Sequence, residues 1–514
     1  MPMIRHILVA FACLVPASLA AQKPAQPKDS AAVKPAPAKG EQWVTRHSLL
    51  IGGKPVSYTA TAGTLIVRNA ADTAVASIGY VAYIRQDVKD PAQRPITFAY
   101  NGGPGSSSVW LHMGALGPRR VVASDGGQTP PPPYRVVDNG SSVLDRTDLV
   151  LIDPVGTGLS HAVGEKKDKD FWAVDPDIES LSWFIKQFVT ENGRWNSPKY
   201  LLGESYGTTR SAGIVDYLQT REDMAFNGVV LVSVALDLQA IFGAPGNDRP
   251  YPLFVPSFAA TSFYHRVLPS QPSDRDAFLS EVRSWALGPY TTALMKGDAL
   301  PPAERQAVVE KLHEYTGLSQ AYIDKANLRI AEGEYTQELL REHRETVGRL
   351  DSRYVGVTFD PLAKEAQYDP QSASISAAYT AAFLDYYHRE LNVPADRAYT
   401  VTALAYQTWD WKHQVPNQGT QPMVNTGPDL AHALGFNPGL RVLVLNGVYD
   451  LATPFLATEY MMDHLHLPPA LKPHVVMKYY DAGHMMYLNE QALARMKADV
   501  AAFIDSTTRA SAGG

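Results

Sequence analysis

Cysteine is almost missing from this chain. One occurs among 514 residues, Cys13, and it falls within the first twenty. A disulfide framework and any thiolate nucleophile or thiolate metal site are thereby excluded from the rest. Long apolar runs are missing too. No segment reaches the ~18 uninterrupted apolar residues that a bilayer span requires, so stable membrane insertion is not expected. Nor is there an excess of charge of either sign. Lys and Arg total 46 against 52 Asp and Glu, a net charge of −6, too little at this size to draw the chain to phosphate backbones or anionic lipid. Nucleic acid is therefore not an expected partner. No His-Glu-x-x-His pattern occurs, and His464-Leu465-His466 has no evident carboxylate partner, so no metal site is expected.

What is present is ordinary globular material, with 45% apolar and 19% charged residues, preceded by an unusual start. Arg5 supplies a positive residue, Ile7 to Val15 a short apolar run, and Ser18-Leu19-Ala20 a small-x-small cleavage site. Residues 1–20 are thus expected to be an export signal. The mature protein is expected in the periplasm or outside the cell. Cys13 lies inside that signal, with bulky Phe11 two residues before it, which argues against lipid attachment. Residues 21–40 are rich in Ala, Pro and Lys and have almost no large apolar side chain, the composition of a disordered linker.

The folded part is expected in three stretches. Residues 41–240 begin with strand-like runs at Val44–Leu50, Val56–Thr61, Thr64–Val67 and Ala76–Arg85, broken by glycines such as Gly52-Gly53, the pattern of an antiparallel meander. After Pro95 the pattern changes to short apolar strands, each running into a glycine-bearing loop: Ile96–Tyr100, Leu149–Ile152, Tyr200–Leu202 and Val229–Val234. Strands apolar on both faces imply a mostly parallel α/β sheet, with functional loops at its carboxyl edge. Residues 241–395 lose that pattern and read as a mainly helical cap insertion. Ala303–Tyr315 is a helix closed by Gly317, and the charged run Glu338–Arg349 reads as a solvated helix face in which His343 has no role. Residues 396–514 resume the core with strands at Val442–Leu445 and Val475–Tyr479.

Gly203-Glu204-Ser205-Tyr206-Gly207 carries the chemistry. Glycines on both sides of a serine between a strand and a helix (Thr208–Leu218) form a nucleophile elbow, which lifts the hydroxyl clear of the sheet. A serine hydroxyl needs an imidazole to take its proton and a carboxylate to fix the imidazole tautomer. The chain supplies both just past strand ends, as Asp450 after Val442–Leu445 and His484 after Val475–Tyr479. Asp481 is a rival acid, but three residues from the histidine on one short loop it is poorly placed for the far ring nitrogen. An oxyanion needs backbone N–H donors. Gly103, in Asn101-Gly102-Gly103-Pro104-Gly105 after a strand, and Tyr206, after the serine, are the proposed pair. Trp409, Trp411 and Met485 are candidates to line side-chain pockets.

Taken together, Asn101–Ser108 (NGGPGSSS), Asp153–Ser160 (DPVGTGLS), the elbow, the Asp450 loop and Asp481–Met485 (DAGHM) resemble the serine carboxypeptidase family, in that family's order. The resemblance implies an α/β-hydrolase fold with a helical insertion, no cofactor, and release of C-terminal amino acids from peptide substrates through an acyl-enzyme. It also implies that Asn101, Gly102 and Glu204 hold the substrate's terminal carboxylate, which requires Glu204 to be protonated. Three positions depart from the family's pattern. Ser106 stands where a cysteine is common, Ala115 where a second glutamate is expected, and the elbow continues Thr208-Thr209-Arg210 instead of Ala-Gly-His. Arg210, or Arg119 and Arg120, are candidate replacement anchors for the carboxylate. Two other functions use the same residues: an esterase or acyltransferase on the same triad, and a binding protein without catalysis.

Overall fold

Gly52 and Gly53, both with positive φ, turn the chain between β1 (Gln42–Ile51) and β2 (Lys54–Arg68), and β3 (Ala74–Arg85) completes an antiparallel meander. The computed structural model describes residues 39–510, so the expected leader and nearly all of the expected linker lie outside them. The two strands expected at Val56–Thr61 and Thr64–Val67 are one. Gly63 between them is no turn residue: it pairs with Gln42 on one side and Tyr80 on the other. A Cβ there would lie 2.5 Å from the Glu41 carbonyl oxygen, so the glycine serves close approach within a strand.

Seven further strands extend the meander into a ten-stranded sheet. They are β4 (Ile96–Tyr100), β5 (Asp148–Ile152), β6 (His161–Ala162), β7 (Lys199–Ser205), β8 (Gly228–Val234), β9 (Arg441–Gly447) and β10 (Val475–Tyr480). Their spatial order is β1-β2-β3-β5-β4-β7-β8-β9-β10, with β6 on β3. From β5 to β10 in that order every neighbouring pair is parallel. The mostly parallel α/β sheet expected from the apolar runs is therefore present.

Side-chain alternation splits each central strand between two cores. Phe98, Leu201, Leu231 and Val444 face one side, where α1 (Val174–Glu191) and α2 (Tyr206–Arg221) cover them with Phe184, Phe188, Ile214 and Leu218. Leu202, Val232 and Leu443 face the other, against Met496, Val500 and Ile504 of the C-terminal helix, Glu490–Ala510.

Between β8 and β9 the chain is mostly helical. It includes α3 (Pro250–His265), α4 (Arg275–Trp285), α5 (Pro302–Thr316) and α6 (Pro370–Arg389). Phe258, Leu312 and Tyr335 of this stretch join the same apolar cluster as Leu201 and Val444, so the insertion and the sheet share a core. The solvated helix face expected over Glu338–Arg349 is not there. A helix ends at Glu338, a single tight turn covers Arg341–His343, and Arg344 takes a positive φ. Glu345–Val347 then pairs with Val355–Val357 as a small hairpin, in keeping with β-branched Thr346 and Val347. Among the described residues no helix is long and apolar enough to cross a membrane.

Candidate active site

Ser205 ends β7 with φ 59° and ψ −130°, a conformation that L residues rarely adopt. The flanking glycines make the turn possible. A Cβ on Gly203 would lie 2.1 Å from the Gly207 carbonyl oxygen, and one on Gly207 would lie 2.9 Å from that of Tyr100. Thr208 locks the first turn of α2, its hydroxyl donating to the Ser205 carbonyl at 2.7 Å and accepting from the Ala235 N–H at 2.9 Å. Beneath the elbow Arg210 is wholly buried. It donates to Asp177 at 2.6 Å and to the Asn101 carbonyl, tying the helix that follows Ser205 to the loop after β4. Arg210 is therefore no substrate anchor. Arg119 pairs with Asp138 and Glu390, and Arg120 with Glu490, so neither is offered to a ligand. All three expected replacement anchors are corrected: each guanidinium has a carboxylate, and none lines the cavity that Ser205 lines.

Asp450 follows β9 and His484 follows β10, and the two meet. His484 Nδ1 lies 2.8 Å from Asp450 Oδ2. The carboxylate is fully buried and held by the Ala452 and Thr453 N–H groups at 2.8 and 2.9 Å and by the Thr453 hydroxyl at 2.6 Å. Burial opposes an imidazolium at His484, but the charge and hydrogen bond of Asp450, joined by the charge of Glu204, outweigh it and raise the pKa above its usual value. Asp481 instead turns outward to Arg275 on α4, at 2.6 Å.

A short strap from the insertion, Arg349–Ser352, runs between these two loops and bonds to both. The Leu451 N–H donates to the Arg349 carbonyl at 3.0 Å and the His484 N–H to the Leu350 carbonyl at 2.6 Å. The Gly483 N–H donates to Asp351 Oδ2 at 3.0 Å and the Ser352 N–H to the Tyr449 carbonyl at 3.0 Å. Asp351 is itself clamped by Arg353, which also reaches Asp125. Gly483 is glycine because the strap lies on it, leaving a Cβ only 2.4 Å from Leu350 O and Asp351 Cβ. No sequence signal marked this strap, because its bonds use mostly main-chain atoms that any residue carries.

The loop after β4 closes the site from the other side. A Cβ on Gly102 would fall 2.5 Å from the Tyr206 nitrogen, so only glycine lets this backbone lie on the elbow. Gly103 follows with φ +103°. The Tyr206 N–H, at the first position of α2, has no acceptor within its own helix. Asn101 accepts from the Leu111 N–H at 3.0 Å and donates to Glu204 Oε1 at 2.8 Å. Glu204 Oε2 is buried and makes no well-formed hydrogen bond among the described residues, with the Tyr487 side chain beside it. Burial is the main reason the Glu204 pKa is pushed up to about 7, against the opposing charge of His484. Ala115 is buried nearby, in the turn of helix His112–Leu116. Gly114 beside it is packed by the Tyr487 ring and the Tyr379 hydroxyl, and the charge of Glu204 acts on both tyrosines, where a second carboxyl was expected.

Asn101, Gly102, Gly103, Glu204, Ser205 and His484 all line one cavity of about 200 Å³, together with Arg349 and Met485. Trp409 and Trp411 do not; they pack edge-on against the Tyr206 ring, at 5.4 and 5.9 Å. Among the described residues no cluster of three His, Cys, Asp or Glu side chains is arranged to hold a metal. The arrangement gathers a serine hydroxyl, an imidazole paired with a buried carboxylate, and a buried carboxyl group around one cavity.

Residues 66–237 match the family model described as serine carboxypeptidase. No curated protein sequence matches the chain. Among solved structures it is similar to Kex1Δp, a prohormone-processing carboxypeptidase from Saccharomyces cerevisiae, at 14% identity over 87% of this chain and 92% of that one, with a TM-score of 0.56. A proline iminopeptidase from Mycobacterium smegmatis matches at 15% identity over 91% and 100% of the two chains, with a TM-score of 0.36. A putative aryl esterase from Burkholderia cenocepacia matches at 14% over 86% and 98%, with 0.33. At such identities the Kex1Δp likeness is one of fold, the α/β-hydrolase fold.

Proposed function

We propose, from the match of residues 66–237 to the serine carboxypeptidase family model, that the chain is an exported exopeptidase acting through Ser205, His484 and Asp450. The observation that carries this reading is the shared cavity. Its volume of about 200 Å³ is below the ~300 Å³ usual for a drug-sized ligand, which suits the end of a peptide better than its middle. Ser205 Oγ attacks the scissile carbonyl carbon as His484 takes its proton. Gly103 and Tyr206 N–H groups receive the oxyanion, and His484 returns the proton to the leaving amino acid. Water, activated by the same imidazole, then hydrolyses the acyl-enzyme. Export to the periplasm or beyond is supported by the signal-like start of the sequence.

The test compares a blocked dipeptide with a free C-terminus, its C-terminal amide and a matched ester, each against a Ser205→Ala background. The free acid is expected to exceed the amide in kcat/KM by at least about tenfold. Equal rates on the two peptides, or turnover of the ester alone, overturn the exopeptidase reading, the latter in favour of an esterase or acyltransferase.

The proposal also fixes a pH dependence. Glu204, with its pKa raised to about 7, stays protonated through the acid range and loses its donor proton as pH climbs past neutrality. KM for free-acid peptides should therefore rise several-fold, roughly, above that point. His484 works in the opposite sense, since only the neutral imidazole is a base and its raised pKa cuts kcat on the acid side. Glu204→Gln keeps a donor at every pH, so its KM profile should stay flat where the wild-type profile rises. An unchanged rise in the variant would show that another group titrates.

A further inference from the structure

We propose that Arg349 is the cationic anchor for the substrate's terminal carboxylate, supplied by the helical insertion in place of the glutamate missing at Ala115; this rests on the exopeptidase reading above. Three observations meet at this residue. Its backbone is fixed beside the catalytic pair, with its carbonyl accepting from Leu451, the neighbour of Asp450, and its N–H donating to Asp369 at 2.6 Å. The next carbonyl, that of Leu350, holds the His484 N–H. The side chain is exposed and lines the cavity that contains Ser205, Glu204 and His484. Among the described residues no hydrogen bond or ion pair engages its guanidinium, whereas Arg119, Arg120, Arg210, Arg275 and Arg353 each have a carboxylate.

The surroundings select an anion. Arg349 is close enough for its charge to act on His484 and on Glu332, but neither side chain bonds to it. Facing the same cavity are Glu204, neutral over the acid range, and the Asn101 amide that holds it. A guanidinium presents paired N–H groups that match both oxygens of a carboxylate. The fork does not depend on the Glu204 proton, so part of the affinity for a free-acid substrate outlasts the ionisation of Glu204. Selection of the chain's end thus comes from the insertion, while bond cleavage comes from the sheet.

The experiment measures kcat and KM for Arg349→Gln and Arg349→Lys on the free-acid dipeptide, its amide, and a free-acid peptide with an acidic side chain at its end. Labelling of Ser205 by a fluorophosphonate, which carries no carboxylate, reports on the catalytic apparatus in the same samples. Arg349→Gln should raise KM for free-acid peptides about 10- to 100-fold while kcat and the labelling rate change by no more than about threefold. Arg349→Lys should recover part of the loss, as a point charge without the fork. Equal losses on acid and amide, or slowed labelling, mean that Arg349 serves only to hold the strap, and the proposal falls. A loss confined to the peptide with the acidic side chain also overturns it. If the wild type prefers the free acid and Arg349→Gln does not alter KM, the anchor is wrong and the exopeptidase stands. If the wild type shows no such preference, the exopeptidase reading itself fails.

Discussion

Replacing Ser205 by alanine is expected to lower kcat/KM on a free-acid peptide by roughly 10⁴-fold or more, the largest effect any single substitution in this chain should produce. In the proposed mechanism this hydroxyl forms the bond to the substrate, and the other hydroxyls lining the cavity, those of Ser106, Ser372, Ser376 and Thr402, do not sit at the strained turn. Folding should survive, because alanine has no more bulk than serine and the glycines that permit the turn remain. Substrate binding should survive too, since the carboxylate contacts lie on other residues. The variant should therefore bind a free-acid peptide with near wild-type affinity by calorimetry while losing both turnover and fluorophosphonate labelling. Turnover within about tenfold of wild type would remove Ser205 from the chemistry.

The fold was legible because parallel strands buried on both faces have few alternatives. Ile96–Tyr100 and Val229–Val234 read as short apolar runs between glycines, and the structure places strands at Ile96–Tyr100 and Gly228–Val234. Misreadings came where a residue's reason was long-range. Gly63 looked like a turn because a single sequence does not reveal that Glu41 would crowd its Cβ. The charged run Glu338–Arg349 looked helical because charge spacing alone does not show that Thr346 and Val347 pair with Gly356 and Val355. The positions of Ser205, Asp450 and His484 at strand ends were legible for a topological reason: one edge of a parallel sheet collects the loops that follow its strands.

The insertion's part in the site was not legible. Arg349–Ser352 contacts the Asp450 and His484 loops chiefly through carbonyl oxygens and N–H groups, which carry no residue signature. Arg210 illustrates the converse. Its position five residues after the nucleophile suggested an anchor, and only the packing shows it buried on Asp177 beneath the site. A buried arginine that bonds one carboxylate and one carbonyl fixes two loops relative to each other, which is how the Asn101 loop keeps its register on the elbow.

Asp450→Asn is expected to cost about 10⁴-fold in kcat, whereas Asp481→Asn should leave kcat within about twofold of wild type. The contrast follows from what each carboxylate holds. Asp450 receives Nδ1 of His484 and three further donors from Ala452 and Thr453. An amide in its place would keep the shape, but its –NH₂ would face either those donors or Nδ1. The second arrangement stabilises the tautomer with Nε2 protonated, which cannot accept the serine proton. The carboxylate charge that raises the His484 pKa is lost in both, so the acid limb of the kcat profile should move to lower pH as activity collapses. Asp481 pairs with Arg275 at the surface, and losing that exposed pair should cost ~1 kcal/mol of stability at most. Comparable losses from both variants would mean that the whole loop, and not Asp450, orients the imidazole. A collapse on Asp481→Asn alone would reassign the acid.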